Sequence, residues 1–221
     1  TQRLRDVINK GVTEEDLINS VQTAFKGGWN SIKLYFMLGL PTEEYDDLDG
    51  ISDLAAKTVN TYMKVPKNER GKGLRVTVST ASFVPKPFTP FQWEAQDEVL
   101  VLREKQSYLR DRLKNKYVSY KWHDPELSLL EAVFARGDRR LGKVLVSAWE
   151  NGCRFDAWDE YFKYDSWMDA FRKHGLEPSF YANRKRSAEE VFPWEHLDMG
   201  ISKEFLLNEK NKAYRAERTP D

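Results

Sequence analysis

The sequence holds one cysteine among 221 residues, Cys153. A single cysteine forms no internal disulfide and cannot by itself anchor a zinc or iron–sulfur site. Net charge is also missing, because 35 Lys and Arg balance 35 Asp and Glu. That removes the global cationic field of a nonspecific nucleic-acid binder, although it leaves room for a local basic patch. No apolar run approaches the roughly 18–20 residues that a membrane span needs, and no signal-peptide pattern opens the sequence. Histidine is scarce as well: His123, His174 and His196 lie far apart, which gives no basis for a metal site. Internal repeats and low-complexity segments are absent. The expectation is a cytoplasmic, disulfide-free protein with no membrane partner.

What is present is a globular composition. The chain is 40% hydrophobic, 13% aromatic and 32% charged, with seven tryptophans, and its mean hydropathy is −0.69. Its length allows one or two domains with a packed core. The termini, Thr1-Gln2-Arg3 and Thr219-Pro220-Asp221, resemble no natural ends. The expectation is a piece of a longer protein, and the rival is a processed small protein.

Along the chain, the first half alternates between helix and strand signals. Thr13 with Glu14, Glu15 and Asp16 reads as an N-cap followed by acids in the first helical turn. That helix should run to about Lys26 and stop at Gly27-Gly28. Ser31 to Leu40 alternates Ile32, Leu34, Phe36 and Leu38 against Lys33, Tyr35 and Met37, a strand with two unlike faces. Gly39-Leu40-Pro41-Thr42-Glu43-Glu44 ends it and opens a helix to about Met63, with Thr42 as the expected cap. Leu74 to Val84 reads as a second strand, the run Phe83 to Trp93 as a proline-stiffened aromatic loop, and Asp97 to Lys116 as a helix. Strands separated by helices imply parallel pairing. Two such strands make too small a sheet, which points to further strands from a missing N-terminal part.

The second half reads as helical. Tyr117 to Trp122 is a possible third strand; Glu126 to Ala135, Arg139 to Asn151, Ala157 to His174 and Lys203 to Arg218 are expected helices. The domains are therefore taken as 1–116, α/β, and 117–221, a mainly helical C-terminal extension.

Several features admit both a chemical and a structural reading. The Gly39–Glu43 turn sits where α/β folds bind ligands, at the C-terminal end of a strand, with helix N–H donors behind it. It is equally a tight turn before a capped helix. Lys33 and Tyr35 either line a cavity or face solvent on a half-covered sheet. The aromatic loop either stacks on a ligand or packs against the helical half. Arg136-Gly137-Asp138-Arg139-Arg140 either binds a phosphate or joins two helices, with Asp138 as cap. Cys153 has no visible base partner and reads as a small buried hydrophobe.

Three stretches carry a resemblance: Gln2 to Gly11, Lys33 to Glu43 (including Gly39-Leu40-Pro41-Thr42-Glu43), and Phe83 to Trp93. Together they resemble the second half of a radical S-adenosylmethionine (SAM) barrel. Over nearly the whole chain, Arg136–Arg140, Gly152–Trp158 and Pro193–Gly200 extend the resemblance to a cobalamin-binding radical SAM family of unassigned reaction. It implies the last β/α units of a partial parallel barrel followed by the helical extension. It implies SAM as cofactor, and a 4Fe-4S cluster and cobalamin only in the full-length protein, because the three-cysteine cluster loop is absent here. By position in the family pattern, Lys10, Tyr35, Gly39, Pro41 and Glu43 are the SAM-side residues. Lys33, Lys86 and Thr89 are substrate-side positions. The isolated chain is expected to be inactive. The alternative is an RNA- or protein-binding module that uses the basic clusters 136–140 and 184–186 with nearby aromatics.

Overall fold

A computed structural model describes residues 1–220. The elements, in chain order, are α1 (Gln2–Val7), α2 (Glu14–Lys26), β1 (Ser31–Leu38), α3 (Tyr45–Lys64), β2 (Arg75–Ser82), α4 (Val99–Arg112), β3 (Val118–Trp122), α5 (Pro125–Ala135), α6 (Leu141–Glu150), α7 (Tyr164–Lys173), α8 (Pro178–Ala182) and α9 (Lys203–Tyr214). The fold is mixed α/β. The described chain forms two compact units, one of residues 1–82, 102–122 and 209–220, the other of residues 83–101 and 123–208.

The first unit is built on a three-stranded sheet in the order β1-β2-β3, with both pairings parallel. Parallel neighbours need crossover connections, and α3 and α4 supply the helices for them. Side-chain alternation gives the sheet two faces. Leu34, Leu38, Val76 and Val78 are buried on one face, and Phe36, Val118 and Tyr120 pack beside them. Against this face lie Val21 and Phe25 of α2, Leu48, Ile51, Ala55 and Val59 of α3, and Leu102 and Leu109 of α4. The other face is polar, and it is described with the site below.

Local signals explain several boundaries. Thr13 and Asp16 form the expected capping box: Asp16 N–H donates to Thr13 Oγ1 at 3.1 Å, and Thr13 N–H to Asp16 Oδ2 at 2.9 Å. The helix after β1 starts later than the sequence indicates. Thr42 takes a left-handed φ of 66° instead of capping, and Glu44 is the N-cap. The residues 117–122 do form a strand, Val118–Trp122, which joins the sheet.

The second unit packs α5 to α8 around Leu129, Leu130, Val133, Val144, Trp167, Phe171 and Tyr181. Cys153 belongs to this core, and burial pushes its thiol pKa up. The expected helix from Ala157 shrinks to Tyr164–Lys173. Phe155 adopts φ 61°, consecutive turns carry the chain through residues 156–161, and Trp158 and Tyr161 are exposed instead of forming a helical face.

At the turn between α5 and α6 the Arg-Gly-Asp-Arg-Arg run is structural in its main features. Arg136 is 0% exposed; its Nη1 donates to the Ala182 carbonyl at 2.8 Å. A Cβ on Gly137 would lie 2.0 Å from Leu141 Cδ1, so glycine is needed for close approach. Asp138 accepts from Arg140 N–H at 2.9 Å and pairs with its guanidinium at 2.7 Å. It does not cap α6, whose N-cap is Arg140. Among the described residues no helix is long and apolar enough to cross a membrane.

Candidate functional site

The strand-end turn of the first unit is where the sequence concentrates its ligand-binding signals. Gly39 follows β1 with φ 80°, a left-handed conformation that favours glycine. Its N–H donates to Glu43 Oε1 at 2.9 Å. Lys105 Nζ, from α4, donates to the same oxygen at 2.7 Å. The two side chains are only 14% (Lys105) and 1% (Glu43) exposed. Glu43 is thus a latch that closes the turn on itself and ties it to α4. Its carboxylate is turned into the protein rather than toward a ligand.

A second set of contacts comes from α1. Arg3 donates through Nη1 to Thr42 Oγ1 at 3.0 Å and through Nη2 to the Thr42 carbonyl at 2.7 Å. It also forms an ion pair with Asp47 on α3. Burial raises the Asp47 pKa, but hydrogen bonds from the Thr1 hydroxyl, the Glu44 N–H and Arg3 outweigh it, and the carboxyl titrates below the ordinary range. Lys10 lies beyond the end of α1, and it is exposed. A basic residue that does reach the turn is Arg3, which was not among the positions expected from sequence. The spacing carried no hint of this, because the contact spans 39 residues.

The polar face of the sheet runs up to this turn. Register places Ser31 beside Arg75, then Lys33 beside Thr77 and Ser119, then Tyr35 beside Ser79 and Lys121, then Met37 beside Ala81. Lys33, Arg75, Ser119 and Lys121 are exposed, and Tyr35 is 69% exposed. Lys33 Nζ lies 4.5 Å from the Tyr35 ring centroid, a cation–π contact that holds both along the strand. Of the positions expected from sequence, the first unit therefore groups Lys33, Tyr35, Gly39 and Pro41 along one strand and its exit.

Lys86 and Thr89 belong to the second unit. Lys86 pairs with Glu131 at 2.6 Å, and the Thr89 hydroxyl donates to the Lys86 carbonyl at 2.8 Å. The aromatic loop that holds them packs within its own unit. Gln92 Oε1 accepts from Phe88 N–H at 3.1 Å and from Trp194 Nε1 at 3.0 Å. Trp93, Phe192, Trp194 and Leu206 form a small core beside it. Over this core lies a cavity of about 290 Å³, lined among others by Phe88, Trp194, His196, Met199 and Lys203. The aromatic run 83–93 and the stretch 193–200 were each visible in the sequence, but nothing there showed that they meet.

The basic clusters are largely committed internally. Arg186 is buried beside Arg136 and donates to its carbonyl at 3.0 Å. Desolvation and the neighbouring Arg186 and Arg184 lower the Arg136 pKa to about 10. Arg184 grips Glu190 with two hydrogen bonds of 2.7 and 2.6 Å. Arg136, Arg184 and Arg186 are thus engaged in contacts inside the second unit, while Arg139, Arg140 and Lys185 of the same runs are exposed. Among the described residues, no group of three or more His, Cys, Asp or Glu side chains is placed to hold a metal ion.

Comparison with known proteins gives one informative likeness. The chain is similar to an uncharacterized protein of Methanocaldococcus jannaschii, 32% identical over 145 residues, which cover 66% of this chain and 30% of that protein. The chain thus spans about 30% of the length of the curated relative it matches. No family profile matches it, and no solved structure does.

Proposed function

We propose that the chain is the C-terminal portion of a radical SAM enzyme of the cobalamin-binding type. It would supply the last strands of a parallel barrel, the SAM-side turn and a helical extension. The observation that carries this reading is the one-sided sheet of the first unit. Its apolar face is covered by α2, α3 and α4, and its polar face leads into the Gly39 turn at the strands' C-terminal end. Helices on one side only match the outer ring of a barrel rather than a doubly wound sheet, which is covered on both faces. β1 is a free edge among the described residues, and barrel closure by strands from elsewhere in the protein would remove it.

The groups that this reading implies fit the chain unequally. A 4Fe-4S cluster does not fit: the one cysteine is buried in the core of the second unit, so the cluster and cobalamin are assigned to parts outside this chain. SAM fits in part. Gly39 turns the chain at the strand exit without a side chain, Pro41 stiffens it, and the exposed Tyr35 hydroxyl offers a polar contact beside it. Bound there, SAM would supply hydrogen-atom abstraction once an electron arrives from elsewhere in the protein. Glu43 would act as a positioning residue, fixing the Gly39 N–H and the turn's shape through Lys105.

The test is anaerobic reconstitution of the full-length protein with iron and sulfide, followed by incubation with SAM and dithionite. Formation of 5′-deoxyadenosine, reduced in the Gly39→Val variant, is expected. Absence of both SAM binding and 5′-deoxyadenosine from the reconstituted protein would overturn the reading.

A further inference from the structure

We infer that the polar sheet face of the first unit binds a small polyanionic substrate, a molecule carrying several phosphate-like groups. The inference deepens the reading above and rests on it for the word substrate. The face presents ten side-chain positions: Ser31, Lys33, Tyr35 and Met37 from β1, Arg75, Thr77, Ser79 and Ala81 from β2, and Ser119 and Lys121 from β3. Three are cations and none is a carboxylate. In a chain whose charges cancel overall, a face with three positive groups and no negative one is a local field with a sign.

The geometry supports an anion further. The cations stand on three different strands, so they surround the middle of the face instead of lining one edge. Between them lie hydroxyls. Thr77 and Ser119 are hydrogen-bonded to each other at 3.1 Å, and Tyr35 and Ser79 occupy the next row. The exposed Tyr35 hydroxyl, and whichever of Thr77 and Ser119 does not donate to the other, can donate to a phosphate oxygen while the cations neutralise its charge. Among the described residues, Lys33, Arg75 and Lys121 make no ion pair. Their charge is held in place by the strands and by the Lys33–Tyr35 contact.

The size of the face selects the ligand class. Three strands span about 10 Å from first to last. That accommodates a compact molecule, whereas nucleic-acid binders commonly neutralise about six to ten phosphates over a longer track. Three cations suit two or three phosphate-like groups. An RNA strand is therefore an outcome of the test rather than the proposed occupant.

The test is calorimetric titration of the full-length protein with inorganic tripolyphosphate at low and moderate salt. Saturable binding that weakens with salt is expected, since these cations are exposed and screened. Lys33→Met, Arg75→Gln and Lys121→Met should each weaken binding by about two- to fivefold, the scale of one exposed ion pair, and the triple variant should lose it. Lys26→Met and Lys64→Met, at the ends of α2 and α3, serve as controls and should change nothing. Thermal unfolding of each variant establishes that it is folded.

Absence of tripolyphosphate binding would overturn the inference. So would equal loss in the control variants, or tight binding of a twelve-nucleotide RNA with none of tripolyphosphate. SAM binding measured in parallel separates the two readings. If SAM binds and tripolyphosphate does not, only the anion site fails. If tripolyphosphate binds as expected and SAM does not, the radical SAM reading fails while the anion site stands.

Discussion

Lys105 on α4 and Glu43 in the turn after β1 meet at 2.7 Å across 62 residues of sequence, with Glu43 almost fully buried. The carboxylate also receives the Gly39 N–H. One acidic side chain thus fixes both the turn and its attachment to a helix. Buried ion pairs are costly to break, because the surviving partner keeps its desolvation penalty. Lys105→Met should therefore destabilise the protein by about 2–4 kcal/mol, measured by chemical denaturation. Glu43→Gln, which keeps an acceptor for Gly39, should cost less than Glu43→Ala. Equal costs would show that the Gly39 bond contributes nothing.

Asp47 gives the turn a pH dependence. Its folded pKa is depressed, with the donors Thr1, Glu44 N–H and Arg3 outweighing burial. A group depressed on folding contributes stability that is fully present above its unfolded pKa, about 3.9, and is lost as pH falls through its folded value. Stability should decline on acidification below about pH 4. Asp47→Asn should be less stable at neutral pH and should show a shallower acid loss. Thermal melts of both proteins from neutral to strongly acidic pH measure this, and parallel acid limbs would assign the dependence to other carboxylates.

Arg136 is fully buried, and it anchors the Ala182 carbonyl at 2.8 Å inside the second unit. Arg136→Met keeps much of the volume and removes the charge but strands a buried carbonyl. It should lower stability by about 1–3 kcal/mol, the cost of leaving such an acceptor unpaired. Arg136→Lys places an ammonium where the guanidinium lay and should be no better, because the planar fork is lost. Denaturant unfolding compares the two, and recovery of wild-type stability by lysine would show that charge alone matters there.

Two glycines carry different constraints. At Gly39 the constraint is conformational: φ is 80°, and Gly39→Ala should cost about 1–2 kcal/mol. At Gly137 the constraint is space, with a Cβ lying 2.0 Å from Leu141 Cδ1 and 2.8 Å from the Val133 carbonyl. Gly137→Ala should cost about 1–3 kcal/mol by overpacking. In a Leu141→Ala background, which itself loses core packing, the Gly137→Ala step should cost less, read as a double-mutant cycle. Leu141→Ala should leave the Gly39→Ala cost unchanged, because the two glycines lie in different units. Thermal unfolding of the series separates the two mechanisms.

The sequence by itself determined the alternation of the first unit. The period of two in Ile32, Leu34, Phe36 and Leu38, and the acid-rich cap at Thr13, are local signals, and local geometry follows from them. It also determined that an iron–sulfur cluster would need ligands from elsewhere, because one cysteine cannot supply them. Tertiary structure decided which charges are available. Arg136 and Arg186 look like a basic surface in sequence but lie inside the second unit, where carbonyls replace water around them. Arg3 reaches the turn through Thr42, a contact between positions 39 residues apart that no local pattern displays. The cations of the sheet face, Lys33, Arg75 and Lys121, are scattered over 89 positions, from 33 to 121. Only parallel pairing in a specific register brings them onto one surface. Pairing between distant strands depends on the burial of Leu34, Val76 and Val78 against the helices rather than on any local preference, so no window of sequence could display it.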